Sequence, residues 1–302
     1  MKQKLPILVL FCYNRLNHLK NTISALKKNY NFKNYNLIIF SDGPKNKIDD
    51  KKIKSVRNYL STIKNSKIKI VKNKKNLGLK KNVITKLNKV FKKYESAIII
   101  EDDILTNKFF LNYMTDALFY FKNQKNVGSI SAYTPIDKSE MKKFDSDLYY
   151  TKRHFSWGWG TWSNRWNEFI FDENIIKKKI NNKNIKKFSD IGNDLPKLLD
   201  LSLNNLISSW SIFFDFNCML KSLFCICPKF SLVENLGFEG SGTHDHQHFL
   251  TNEIKLNWRP LNFNKILLSH KITILEKRSI IGDFKQKIKN KFFRFINMIY
   301  SF

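Results

Sequence analysis

A chain of 302 residues has room for one large α/β domain or two closely joined smaller ones, and 42% apolar with 14% aromatic residues can fill a sizeable core, which excludes a disordered chain. The 54 Lys and Arg against 25 Asp and Glu give a formal charge of +29, which favours nucleic acid, anionic lipid or phosphorylated small molecules as partners without choosing among them. No run reaches the roughly 20 apolar residues that span a bilayer, and Cys12, Cys218, Cys225 and Cys227 make neither C-x-x-C metal pairs nor a disulfide framework, so reduced thiols in a cytoplasmic protein are expected.

The first expected element is a strand, "LPILVLFCY" (5–13). The opening "MKQKLPILVLFCYNR" starts like a short signal peptide, but no small-residue cleavage site follows and the apolar stretch stops at Asn14 and Arg15. "YNLIIFSD" (35–42), "KIKIVKN" (67–73) and "SAIIIEDD" (96–103) read as further strands. Between them, "NHLKNTISALKKN", "DDKKIKSVRNYLSTIKN" and "LKKNVITKLNKVFKKY" carry apolar residues at three- and four-residue spacing, the mark of amphipathic helices. This alternation predicts an α/β fold with a mostly parallel sheet covered by helices. Ligands of such sheets bind beyond the carboxyl ends of the strands. There "CYNR", "SDGP", "KKNLGL" and "EDDI" should meet along one rim.

The second half has a different texture. "VGSISAY" (127–133) reads as another strand, and "RHFSWGWGTWSNRW" as a compact aromatic loop. Indole faces stack on sugar rings, so Trp157, Trp159 and Trp162, with Gly158 and Gly160 between them, are candidate sugar contacts; core packing is the alternative. A Lys- and Asn-rich helical region (173–206), "SSWSIFFDFNCMLKS" and the Gly-rich "NLGFEGSGTHDHQH" follow. His244, His246 and His248 alternate there and could face one transition metal, although loop histidines more often only hydrogen-bond. From about residue 284, "FKQKIKNKFFRFINMIYSF" mixes cations and aromatics and could lie on an anionic membrane surface; a docked terminal helix is the alternative.

Three adjacent carboxylates, Glu101, Asp102 and Asp103, close the fourth strand and repel one another, so a cation should sit beside them. Mn²⁺ or Mg²⁺ fits, because such ions take one or two protein carboxylates and complete their shell with phosphate oxygens and water. "NKKNLGL" resembles a phosphate-binding turn, but lacks the glycine patterns of a P-loop or a dinucleotide fold.

Taken in order, "PILVLFCYNRLNHLKNTISAL", "SDGP", "NLGL", "IIIEDDI", "WGWGTW" and "NLGFEGSGTH" resemble the motifs of bacterial GT-A glycosyltransferases of surface polysaccharide clusters. Those are distantly similar to the N-acetylglucosaminyltransferase I family and its Glu-Asp-Asp motif. The resemblance, over roughly residues 5–245, implies a GT-A (Rossmann-like) fold with a loop- and helix-rich acceptor lobe. It implies residues 1–125 as the nucleotide-sugar-binding half, 126–275 as the acceptor-binding and catalytic half of the same domain, and 276–302 as a basic aromatic tail. It also implies that Arg15 contacts the nucleotide, Asp42 its base, and Glu101 and Asp102 the ribose and sugar. Asp103 would ligate the metal, Asn76 and Gly78 would border the nucleotide, and His244 would lie near the diphosphate.

In sugar transfer a departing nucleoside diphosphate gains negative charge, and an acceptor hydroxyl loses a proton to a base. Many relatives place that acid directly after the Trp matching Trp210. Here Ser211 stands there, and Asp215, one helical turn on, is the candidate base. The implied function is a metal-dependent, inverting glycosyltransferase, hexosyl or N-acetylhexosaminyl, acting from a nucleotide-sugar donor on a glycan or lipid-linked glycan such as lipopolysaccharide or capsule. It would be cytoplasmic or peripheral at the inner membrane face. A nucleotidyltransferase acting on sugar phosphates is the alternative, disfavoured because "CYNRLNHL" is no Gly-rich, Lys-bearing loop. A nucleic-acid binder is further off, since no recognition-fold signature accompanies the charge.

Overall fold

β-Branched and aromatic runs become strands because their side chains fill a pleated, buried surface. The computed structural model describes residues 4–238, 261–269 and 271–280. In it β1 (Ile7–Cys12), β2 (Leu37–Ser41), β3 (Ile68–Lys72) and β4 (Ser96–Glu101) fall within the four expected runs, and β1 is buried along its whole length. The helices Leu16–Lys27, Lys47–Ser61 and Leu79–Phe91 alternate with them, as the apolar spacing predicts. The second half adds β5 (Ile104–Thr106), β6 (Val127–Ser131), β7 (Leu148–Thr151), β8 (Trp159–Trp162), β9 (Phe224–Pro228), β10 (Val233–Asn235) and β11 (Ile266–Leu267).

One sheet runs in the order β11-β7-β9-β6-β8-β4-β1-β2-β3. The block β4-β1-β2-β3 is wholly parallel, β6 and β9 are parallel, and β8 lies antiparallel between β4 and β6. This is the expected class: a mostly parallel sheet, flanked by helices, with a helix-rich second lobe. Separately, β5 pairs antiparallel with β10, which ties residues just past the acidic triplet to the segment 233–235.

Two apolar layers cover the sheet. On one face Leu10, Ile98, Ile100 and Trp162 pack with Leu19, Ile23, Met114 and Leu118 from the helices Leu16–Lys27 and Phe110–Phe121. On the other, Val9, Phe11, Ile99 and Trp159 meet Val83, Trp210 and Phe214 from or beside the helices Leu79–Phe91 and Ser211–Leu220. A third cluster around Phe188, Phe213 and Phe216 knits the helices Glu173–Lys179, Asn182–Ile191 and Leu195–Leu203 into a lobe beside the second face. Lys80 fastens that lobe to the first half, its Nζ donating to Glu173 at 2.7 Å, Ser202 O at 3.0 Å and Asn205 Oδ1 at 3.1 Å.

The aromatic stretch corrects an expectation. Residues 159–162 form no loop but an internal strand, with Trp159 1% and Trp162 2% exposed. Residues three apart on a strand point to opposite faces, so one indole enters each core layer. Trp159 stacks on Trp210 at 4.9 Å, and Trp162 Nε1 donates to Leu118 O. Neither can meet an acceptor sugar. All four cysteines are free and buried, and among the described residues no helix is long and apolar enough to cross a membrane.

Candidate active site

The carboxyl ends of β1, β2, β3 and β4 share one rim because the strands run parallel in register, with Cys12 opposite Ser41, Ser41 opposite Lys72 and Phe11 opposite Glu101. Arg15 leaves β1 at that rim and directly precedes the helix Leu16–Lys27. Its Nη2 donates to Asp102 Oδ1 and, at 3.0 Å, to Asp103 Oδ2. Asp102 also accepts from Tyr13 N at 3.0 Å, and its carbonyl from Thr22 Oγ1 at 2.8 Å. The acidic triplet therefore has the cationic neighbour that its charge demands, supplied from within the chain.

Burial opposes charge on the Arg15 guanidinium, but Asp102 and Asp103 outweigh it and raise its pKa. Burial raises the Asp102 pKa against the pull of Arg15. Glu101 is pushed up to about 8 by burial and by the charges of Asp103 and Asp102. With Glu101 mostly protonated near neutral pH, the one guanidinium faces the carboxyls of Asp102 and Asp103, a setting for a further cation.

The pairing of β5 with β10 brings Asn235–Phe238 over this corner. Leu236 N donates to Asp103 O at 2.8 Å, and a Cβ built on Gly237 would stand 2.8 Å from Asp103 Oδ2. Any side chain at 237 would crowd the carboxylate. His244, His246 and His248 lie outside the described residues.

Asp42 takes a different post from the one expected. It is buried, and its carboxylate accepts from Gly43 N at 2.8 Å, Asn73 Nδ2 at 2.9 Å, Asn76 Nδ2 at 3.3 Å, Leu77 N at 3.1 Å and Gly78 N at 3.1 Å. Those bonds use its lone pairs, so Asp42 shapes the 73–78 turn instead of meeting a base. Arg57 braces the same turn through Asp42 O and Asn73 O. Gly78, at φ +72°, adopts a backbone that favours glycine and opens the helix Leu79–Phe91. Asn76 and Gly78 thus sit at the rim, held by Asp42.

Asp215 is also reassigned. It is buried on the helix Ser211–Leu220 and accepts from His154 N at 2.6 Å. Burial pushes its pKa up to about 6 against the pull of His154 and Arg153. The residue is only 5% exposed and its carboxylate is turned to His154 N, a setting unlike the open one expected of a base. Ser211 opens that helix, its Oγ 3.2 Å from Ser209 Oγ. Of the three tryptophans only Trp157 is part-exposed; its ring packs on Tyr133 at 4.2 Å near the start of β8.

Sequence reasoning passed over Asn73, Arg57 and Gly237. Asn73 closes the β3 run and Gly237 stands in the quoted Gly-rich segment, so both had a signal; Arg57 looks like an ordinary helix-surface cation. Asp49, also missed, accepts from Tyr13 OH and Asn14 Nδ2, both at 2.8 Å, and so steadies the turn before Arg15. Among the described residues, no group of three or more His, Cys, Asp or Glu side chains is arranged to hold a metal. Any ion here would draw on a single carboxylate and on its ligand. Asp103, whose Oδ2 accepts from Arg15, is the carboxylate of the triplet nearest the covering segment 235–238.

The Arg-bound acidic corner and the glycine-opened turn stand together at the carboxyl ends of the parallel strands, where open α/β sheets bind their ligands. The GNT-I family model matches residues 1–172, and the chain belongs to that family. Among solved structures, it is similar to the mannosyltransferase PcManGT of Pyrobaculum calidifontis, described in complex with GDP-Man and Mn²⁺, at 14% identity and a TM-score of 0.40, over 57% of this chain and 49% of that one. It is also similar to S. aureus TarS 1-349 at 13% identity and a TM-score of 0.44, over 78% of this chain and 61% of that one. The chain thus spans less than two thirds of the length of either. No curated protein matches it.

Proposed function

We propose that this chain is a GT-A glycosyltransferase that binds a nucleotide-sugar donor at the rim and transfers the sugar, with inversion, to a surface glycan or lipid-linked glycan. The observation that carries the reading is the Arg15–Asp102–Asp103 corner at the end of β4, in a chain of the GNT-I family. Arg15 would face the diphosphate, and its charge, set before the reaction, stabilises the negative charge that grows as the diphosphate leaves. Asp102, fixed by Tyr13 N and Arg15, would orient the ribose. Glu101 would contact the sugar. Asn76 and Gly78 border the nucleotide, while Asp42 holds their turn in shape. Trp157 is the remaining aromatic candidate for the acceptor.

Asp103 would hold Mn²⁺ or Mg²⁺, which supplies Lewis-acid neutralisation of the diphosphate. The fit rests on a single rim carboxylate in an electronegative corner, the donor set of an ion whose shell is completed by phosphate and water. The purified chain, incubated with a panel of nucleotide sugars and Mn²⁺, should turn over one donor. Asp103→Asn should abolish that turnover together with the Mn²⁺-dependent thermal shift seen with the matching nucleoside diphosphate. Full activity in the variant would reject the reading. Pyrophosphate release from a nucleoside triphosphate would instead favour a nucleotidyltransferase.

A further inference from the structure

The two large apolar side chains most open to solvent among the described residues are Ile48, 72% exposed, and Leu206, 70% exposed. Both lie in segments that adjoin the rim. Ile48 lies in the first turn of the helix Lys47–Ser61, which follows β2, and Leu206 lies in the loop leading to Ser208. A third exposed residue, Leu79 at 39%, opens the helix that follows β3. Backbone packing links them into one strip. The turn after β2 touches the turn after β3, because Gly43 has no room for a side chain against the backbone of Lys75 and Asn76. Beyond Leu79, Lys80 N donates to Ser208 Oγ at 3.1 Å, which brings the 206–208 loop alongside.

Exposed lysines fill the intervals: Lys45, Lys47, Lys74 and Lys75. Two carboxylates stand among them: Asp50 is paired with Lys54 at 2.7 Å, and Asp49, which accepts from Tyr13 and Asn14, also faces Lys45, so the four lysines outnumber the one carboxylate left to offset them. Isolated aliphatic side chains spaced among an excess of lysines do not make the continuous apolar patch of a protein interface. They match a bilayer surface, where aliphatic tips enter the acyl boundary and ammonium groups meet lipid phosphates.

We propose that this strip docks on an anionic phospholipid membrane and so presents the rim to a lipid-linked acceptor. The acceptor clause rests on the function proposed above; the docking itself does not. The test is co-sedimentation of the full chain with phosphatidylcholine vesicles, with and without phosphatidylglycerol. The native chain should bind only the anionic vesicles, and more weakly as salt rises. Ile48→Asp with Leu206→Asp, and separately Lys45→Glu with Lys47→Glu, should each weaken binding by roughly tenfold or more, while donor turnover without lipid stays at the native level.

Equal binding to neutral vesicles, or variants that sediment like the native chain, would overturn the proposal; the latter would move membrane contact to another part of the chain. Preference for RNA or DNA over anionic vesicles would overturn it too. Vesicle binding by a chain that turns over no donor would leave the docking standing and remove only the enzymatic reading.

Discussion

Arg15 and Asp215 show how alike two charged residues can look in a sequence and how differently they are used. Arg15 reaches from the first helix to two carboxylates 87 and 88 positions away, part-exposed at the rim. Arg15→Ala should lower donor turnover by about a hundredfold or more, the scale of losing a preorganised charge at a leaving group, with kcat falling more than KM rises. Asp215 is enclosed, and Asp215→Ala strands the His154 N–H. Urea unfolding should show a loss of about 1–3 kcal/mol, while kcat/KM of the folded fraction changes by less than about threefold. A general base would behave the other way, losing about 10²–10⁴ in rate at unchanged stability. The acidic triplet was legible because a sequence shows that a charge cluster needs a cation. Asp215 was not, because helical spacing gives a shared face but not whether that face is covered.

Among the elements, the strands and helices of the first half follow from apolar spacing alone, since each has one dry face. The failure came at β8. Two glycines within three residues argue for a loop, yet each is there to let a neighbour close in: a Cβ on Gly160 would stand 2.8 Å from Ala97 O, and one on Gly158 2.8 Å from Phe110 Cε2. Trp159→Ala should therefore cost about 3–5 kcal/mol, as for a large aromatic taken from a core, read as a lower urea midpoint. The Asp42 turn is a second test. Asp42→Ala orphans Leu77 N and Gly78 N together, and nucleotide affinity should fall more than tenfold through an unformed turn; Asp42→Asn, which keeps an acceptor oxygen, should recover part of it.

For the molecule as a whole, the pH response should come from buried acids. Glu276, in the helical stretch 271–280, accepts from Thr151 Oγ1 at 2.8 Å, and burial pushes its pKa up to about 8. An acid whose folded pKa exceeds its unfolded one binds its proton more tightly when folded, so its contribution is complete below about 4.5 and is lost as pH rises through about 8. Asp215 adds the same sign around pH 6. Tm should fall between about pH 4 and 8, and Glu276→Gln should flatten the upper part of that fall in a calorimetric pH series.

β8 stitches the parallel block β4-β1-β2-β3 to β6, β9 and β7, although it comes after β4 in the chain by way of β6 and β7. A polypeptide severed after residue 125 would therefore present the backbone of Ser96–Ile99 as a raw seam, and the complementary piece would carry the missing thread. Produced together, the two pieces should reassemble into a working whole; produced singly, the first should self-associate along that seam.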